Sequence, residues 1–342
     1  MAVSRRKEGD KGSRTLRVVT IGGGTGSFTL LTRFKNYFDD LTAIVNMADN
    51  GGSSGVLRDE LGALPPGDVR QCLVALSEAP EELRELFNFR FAEGTLAGHT
   101  LGNLFLSAVE KMSSDFDEAI RLASEVLRIR GRVLPVTKES VQLELVWPDG
   151  RVVRGEFTIG DIDFDGWQRP ELRLVPPAPL DPHARQAIAR ADVVVIAPGN
   201  LYGSLAPALM VSGMREALQA TPAKVAYVCN LVTKPGQTDG FQVHDYAAEI
   251  ERFVGAPVLD YVLYNTARPP AQLLRRYAHA GELPVTADSG ALHTVAYQAV
   301  GLPLIADEPN AARAGDTIAL TRSLIRHDAD AVARELLKLA VL

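Results

Sequence analysis

Apolar and polar positions along this chain fall into two alternating rhythms. Short runs rich in β-branched residues, at 17–21, 42–47, 192–197, 224–229 and 259–263, carry almost no polar interruption. That is the pattern of strands buried on both faces. A further run of this kind is expected at 317–320. Between them, apolar residues recur at helical spacing near 27–35, 68–77, 102–111, 116–127, 182–190, 206–219, 244–253, 270–279, 288–299 and 329–339. The alternation predicts an α/β chain built as a doubly wound, mostly parallel sheet. Ligands of such sheets bind beyond the carboxyl ends of the strands, so chemistry is sought in the turns that follow each run.

One region departs from this rhythm. Between about 131 and 175, alternation in VQLELVW, then Pro148-Asp149-Gly150, then RVVRGEFTI predicts a hairpin. The stretch 131–175 reads as a small antiparallel β insertion within one domain spanning 16–342. The first 15 residues, basic and interleaved with Gly9, Gly12 and Ser13, read as a solvated, disordered tail.

Composition narrows the class. Of 342 residues, 46% are apolar and 23% charged, ordinary values for a globular protein with a full core. The net charge of −6 gives no reason to expect a nucleic-acid partner. No run approaches the ~20 apolar residues of a bilayer span, and no secretory pattern follows the basic tail, so a cytoplasmic protein is expected. Cys72 and Cys229 lie in apolar surroundings outside any CxxC, consistent with buried reduced thiols. The histidines show no zinc spacing.

The turns carry the candidate chemistry. Gly22, Gly23, Gly24, Thr25, Gly26 and Ser27 join the first strand to the first helix, where bare amides can cradle a phosphate. No Lys-Ser/Thr follows, so this is not a Walker loop; serine takes the third place of a dinucleotide fingerprint. Asp49 ends the second strand about 20 residues on, where such folds bind ribose hydroxyls; it also suits a turn. Asn50, Gly51, Gly52 and Ser53 continue that loop. Asp68 opens a helix, as a cap or a ligand contact. Arg70 in the same first turn opposes the helix dipole, which makes it a candidate anion contact. His99 and Asn103 flank another helix start behind a Thr100 cap. Gly199, Asn200, Tyr202 and Ser204 form a second strand–turn–helix anion loop. Asn230, Tyr264 and Asn265 follow later strands, Tyr264 being either a stacking or a core residue. Arg326 is a candidate phosphate contact, with Asp328 capping the last helix. No Ser-His-Asp order, carboxylate pair or metal spacing emerges, so these residues read as binders, with no catalytic group assigned.

Taken together, IGGGTGSFTLL, VNMADNGGSSG, PPGDVRQCLVAL, GHTLGNL, IAPGNLYGSLAP, VCNLVTKPGQTDGF, YVLYN and LIRHD resemble the YvcK-like gluconeogenesis factor family within the CofD-like superfamily, over roughly residues 16–340. The resemblance implies a Rossmann-like core and a UDP-sugar ligand such as UDP-N-acetylglucosamine. It implies a cytoplasmic regulator of cell shape, cell-wall supply and gluconeogenic growth, with cell-wall or morphogenesis proteins as partners and homo-oligomers as an option. Carried over, Tyr264 and Arg326 fall at the family's UDP-sugar contacts, the glycines 22–24 and 26 meet diphosphate or ribose, and Asp49 and Asn50 lie beside them. Some relatives carry a regulatory phosphothreonine three residues after the RHD arginine; here that position is Ala329. The enzymatic alternative is a CofD-type transfer of a phospholactyl group from a nucleotide diphosphate, with Mg²⁺. A third reading is an NAD-dependent oxidoreductase, since NAD also presents a diphosphate. No cofactor is required by the first reading.

Overall fold

A computed structural model describes residues 15–113, 115–164, 169–306 and 325–340. The expected strand at 317–320 and residues 1–14 of the expected tail lie outside them. Seven parallel strands make the main sheet: β1 (Arg17–Gly22), β2 (Asp40–Val45), β3 (Arg132–Pro135), β7 (Val193–Ile196), β8 (Lys224–Val228), β9 (Tyr261–Asn265) and β10 (Gln298–Leu302). A separate antiparallel sheet holds β4 (Gln142–Val146), β5 (Val152–Arg154) and β6 (Glu171–Val175). The spatial order of the main sheet is β10-β9-β8-β7-β1-β2-β3. From β1 the chain moves outward through β2 and β3, then returns to β7 on the other side of β1 and moves outward again. The order reverses between β1 and β7, the switch point at which doubly wound sheets bind ligands.

Burial explains the strand patterns. Nearly every residue of β1, β2 and β7 is inaccessible, because helices cover the sheet. One group of helices packs Gly24–Phe34 against Gly67–Leu76 and Ala329–Leu339. Another packs Pro182–Arg190 against Met214–Ala220, with Ala206–Leu209 against Val243–Val254. In β6, by contrast, exposure alternates residue by residue, as on a sheet with one wet face. The expected hairpin forms, pairing Glu144 with Arg154 and Val146 with Val152.

The boundaries differ from expectation in four places. β3 pairs with β2 in the main sheet, so the insertion begins after Pro135. Gly52–Leu61 is a helix where glycine and serine density suggested a loop; the chain leaves it through Gly62 in the left-handed conformation (φ 61°). Glu156–Asp161 is a helix, not a continuation of the second hairpin strand. The helix expected at 288–299 is one turn, Ser289–Leu292, and the chain then extends into β10. Both cysteines are free and buried. Among the described residues no helix is long and apolar enough to cross a membrane.

The insertion is tied to the core across the carboxyl ends of the main strands. The Asn50 side chain accepts from the Phe157 amide at 2.8 Å. Gln237 Nε2 donates to the carbonyls of Ile159 and Ile162 at 2.6 and 3.1 Å, and the Phe164 amide donates to Gly236 O at 2.8 Å. The rings of Trp147, Phe164, Tyr202 and Phe253 run edge to face from insertion to core, at centroid distances of 6.3, 4.6 and 5.7 Å. Arg169 closes the return, at 2.7 Å from the buried Glu249 carboxylate, which Arg252 also holds.

The turns after β1 and β7 touch so closely that a β-carbon on Gly26 would land on the carbonyl oxygen of Pro198. Gly26→Ala is therefore expected to destabilise the fold by about 1–3 kcal/mol, the usual cost of overpacking. Gly160→Ala, with no heavy atom nearer than 3.6 Å to the new methyl, is expected to leave the melting temperature unchanged. Differential scanning fluorimetry of the two variants measures the difference.

Candidate functional site

The site grows from the end of β1. Gly23 caps helix Gly24–Phe34, and Gly24 sits in the left-handed region (φ 62°), which only glycine adopts without strain. The helix thus begins directly at the strand tip with its first amides turned toward the switch point. Asp68 Oδ1 accepts one of them, Gly24 N, at 2.9 Å. Pro66 takes the cap position of the helix Gly67–Leu76, so Asp68 is not its cap; it reaches across to the first glycine turn instead.

The β2 turn supports Asp49. Its Oδ1 accepts the Gly51 amide at 2.9 Å, and its other oxygen lies so close to Gly67 that a side chain there would collide with it. A third carboxylate joins this pair. Glu156, on the insertion helix, accepts from Ser204 Oγ at 3.4 Å. Burial raises the affinity of all three for protons, and they repel one another. Asp68 is pushed up to about 7, by burial and then by Asp49; Glu156 to about 8, by burial and then by Asp49 and Asp68. Asp49 is shifted upward by burial, against the Gly51 amide and the Ser54 hydroxyl.

Behind the acids lies a polar network. Arg70 Nε donates to Asn103 Oδ1 at 2.9 Å and its Nη1 to Asn88 Oδ1. Asn103 Nδ2 donates to Ser53 Oγ at 3.1 Å, and Ser53 pairs with His99 Nδ1 at 3.0 Å. The Thr100 hydroxyl accepts from the Asn103 amide at 3.3 Å, as expected of a cap. Six residues from separated stretches are thereby joined. Arg70 is buried, and its charge offsets Asp49 and Asp68 from the protein side.

On the β7 side, Asn200 caps the turn Leu201–Leu205 by accepting the Gly203 amide at 2.9 Å. Asn230, after β8, clasps Gly199 through both backbone groups, at 2.8 and 3.4 Å. Arg326 Nη1 donates to Thr29 Oγ1, one turn along the first helix, at 3.2 Å. The next residue, His327, is buried and donates Nε2–H to Cys229 O at 2.9 Å; burial lowers its pKa to about 4, so the ring is neutral. Asp328 caps the last helix by accepting the Ala331 amide at 2.9 Å.

Three further candidates have structural partners of their own. Tyr202 is fully buried, its ring wedged between Phe164 and Phe253, because the turn that carries it faces the insertion. The Asn265 carboxamide brackets the Ala267 and Leu304 amides, each at 3.0 Å, and so joins β9 to the chain after β10. Tyr264 lies across Gly301 of β10, where a β-carbon would meet its hydroxyl at 2.8 Å. Asn50 belongs to the site's edge, holding the insertion. Glu156 and Phe157 were not expected. The signal was the Gly-Glu pair that interrupts RVVRGEF; Gly155 turns the chain with φ 92° and starts the short helix.

A cleft of about 680 Å³ at the opposite, amino ends of β1–β3 is lined by Arg17, Arg121, Arg132, His183 and Arg190; none of the turns above reaches it. Among the described residues no three His, Cys, Asp or Glu side chains are grouped to hold a metal ion.

Paired glycine-bearing turns at the switch point of a doubly wound sheet, tied to a β insertion carrying a carboxylate, define a Rossmann-like α/β protein. The sequence profile of 2-phospho-L-lactate transferase CofD matches residues 18–305. The chain belongs to the YvcK-like gluconeogenesis factor family of the CofD-like superfamily. It is 38% identical over 326 residues to the gluconeogenesis factor of Bacillus subtilis, covering 94% of this chain and 98% of that protein. It is 40% identical to that of Halalkalibacterium halodurans, covering 85% and 88%. A crystal structure of a UPF0052-family protein from Bacillus halodurans superposes with a TM-score of 0.86 at 35% identity, covering 95% of this chain and all of that one.

The raised acids set a pH dependence. Unfolded, Asp68 loses its proton near pH 4; folded, it keeps it until about pH 7. Its contribution to stability therefore falls as pH rises through that window. Asp68→Asn retains an acceptor for Gly24 N. Without divalent cations, the variant should match the wild type at pH 4 and melt higher at pH 8. Thermal denaturation at both values checks this.

Proposed function

We propose that the chain binds a nucleotide diphosphate sugar of the UDP-N-acetylglucosamine type across the switch point, and serves in the cytoplasm as a regulator of cell shape, wall supply and gluconeogenic growth. The observation that carries the reading is the meeting of two glycine-bearing strand-to-helix turns, Gly22–Ser27 and Pro198–Ser204, at the switch point of the sheet, with Arg326 against the first helix. Helix amides and a guanidinium on the same ligand suit a diphosphate. The name shared by the relatives, gluconeogenesis factor, supports a regulatory role.

A transferase of CofD type is the second reading, favoured by the Asp49–Asp68–Glu156 cluster. Carboxylates facing a diphosphate repel it unless protons or a cation intervene. Mg²⁺ is commonly held by one or two carboxylates and completed by phosphate oxygens, and Asp49 and Asp68 are two carboxylates close enough to repel each other beside the glycine turn. Asp49 and Asp68 would hold the ion, which would supply charge neutralisation at the diphosphate. NAD fits less well, because Asp49, the ribose acid of that reading, already spends an oxygen on the Gly51 amide.

A thermal-shift panel of UDP-N-acetylglucosamine, NAD, GTP and Mg²⁺ tests the ligand: the nucleotide sugar should stabilise most. NAD stabilising alone, with hydride turnover, would overturn the reading. In calorimetry, Arg326→Ala should weaken the sugar nucleotide by about tenfold or more, since a charge-assisted hydrogen bond is worth roughly 1.5–3 kcal/mol.

A further inference from the structure

We infer that Phe157 is the platform on which the hexose ring of the nucleotide sugar stacks, with Glu156 receiving its hydroxyls; this rests on the ligand class proposed above. Phe157 is 61% exposed, an unusual state for an aromatic at a site whose neighbours are packed. It is nevertheless fixed. Its amide donates to Asn50 Oδ1 at 2.8 Å, and one ring edge rests against Gly51, where a β-carbon would come within 3.2 Å of Cδ2. Among the described residues no other aromatic ring packs on it. Its neighbour Glu156 spans to Ser204 at the β7 turn, while Phe157 itself lies against Asn50 and Gly51 of the β2 turn, so the pair bridges the two turns.

The chemistry of that corner selects one end of the ligand. A pyranose shows C–H groups on its faces and hydroxyls around its rim. The electron-rich face of Phe157 attracts the C–H groups, and the Glu156 carboxyl group, with both a donor and an acceptor oxygen when protonated, exchanges hydrogen bonds with the hydroxyls. The guanidinium of Arg326, on the β8 side, suits carbonyl and phosphate oxygens. The ligand therefore lies with its diphosphate at the glycine turn, its uridine toward β8 and its sugar beneath the insertion.

Calorimetric titration with UDP and with UDP-N-acetylglucosamine, at constant Mg²⁺, tests this on wild type, Phe157→Ala and Phe157→Trp. Wild type should bind the sugar nucleotide more tightly than UDP. Phe157→Ala should lose about tenfold for the sugar nucleotide while UDP changes less than about twofold, and Phe157→Trp should retain the wild-type preference. Unchanged sugar-nucleotide affinity in Phe157→Ala would overturn the assignment. Equal losses for UDP and the sugar nucleotide would show that the ring serves the uridine instead, and overturn it equally. Wild type binding neither ligand would sink the ligand class itself, and this inference with it.

Discussion

The contact between Gly26 and Pro198 sets the geometry of the rest. Two strands with opposite onward directions, β1 and β7, end side by side, and their turns must pass within van der Waals distance. Only a residue without a side chain allows that approach. The helix after β1 can then start at the strand tip, and its first turn faces the crevice instead of being lifted away by a longer loop. The Asn230 clasp on Gly199 and the Arg326 bond to Thr29 lock the neighbouring strand ends around this junction.

Charge at the junction is arranged in opposition. Asp68 and Asp49 accept the Gly24 and Gly51 amides, and with Glu156 they form a group of acids each made weaker by burial, while Arg326 lies against the first helix. Arg70 moderates the acids from behind but is committed to Asn103 and Asn88. Protons or cations would relieve the mutual repulsion of the carboxylates.

The β insertion converts a shallow sheet edge into a roofed site. Its hold is distributed over an aromatic row, the Arg169–Glu249–Arg252 group and main-chain bonds to the 236–237 turn. Tyr202 belongs to that hold. Its sequence position, inside a phosphate-type turn, suggested a ligand contact, yet the insertion needed an aromatic there for its own packing.

Local sequence determined the class of fold and the turns that matter. Buried strands announce themselves because both faces must be apolar, and glycine after a strand marks a backbone conformation that other residues resist. Hence β1, β2, β7, β8 and β9, the PDG hairpin and the glycine turns were legible, as were the caps at Thr100 and Asp328. Edge strands β3 and β10 were not, being short and half wet, and the Gly52–Leu61 helix was masked by residues of low helix propensity that packing overrides. Tertiary structure alone decided which polar residues meet. Asp68 looked like a local cap and bonds a turn 44 residues away; Glu156 looked like strand and completes the acid cluster. Periodicity reports how a residue faces its own element, whereas a site depends on distances between elements, which no local pattern encodes.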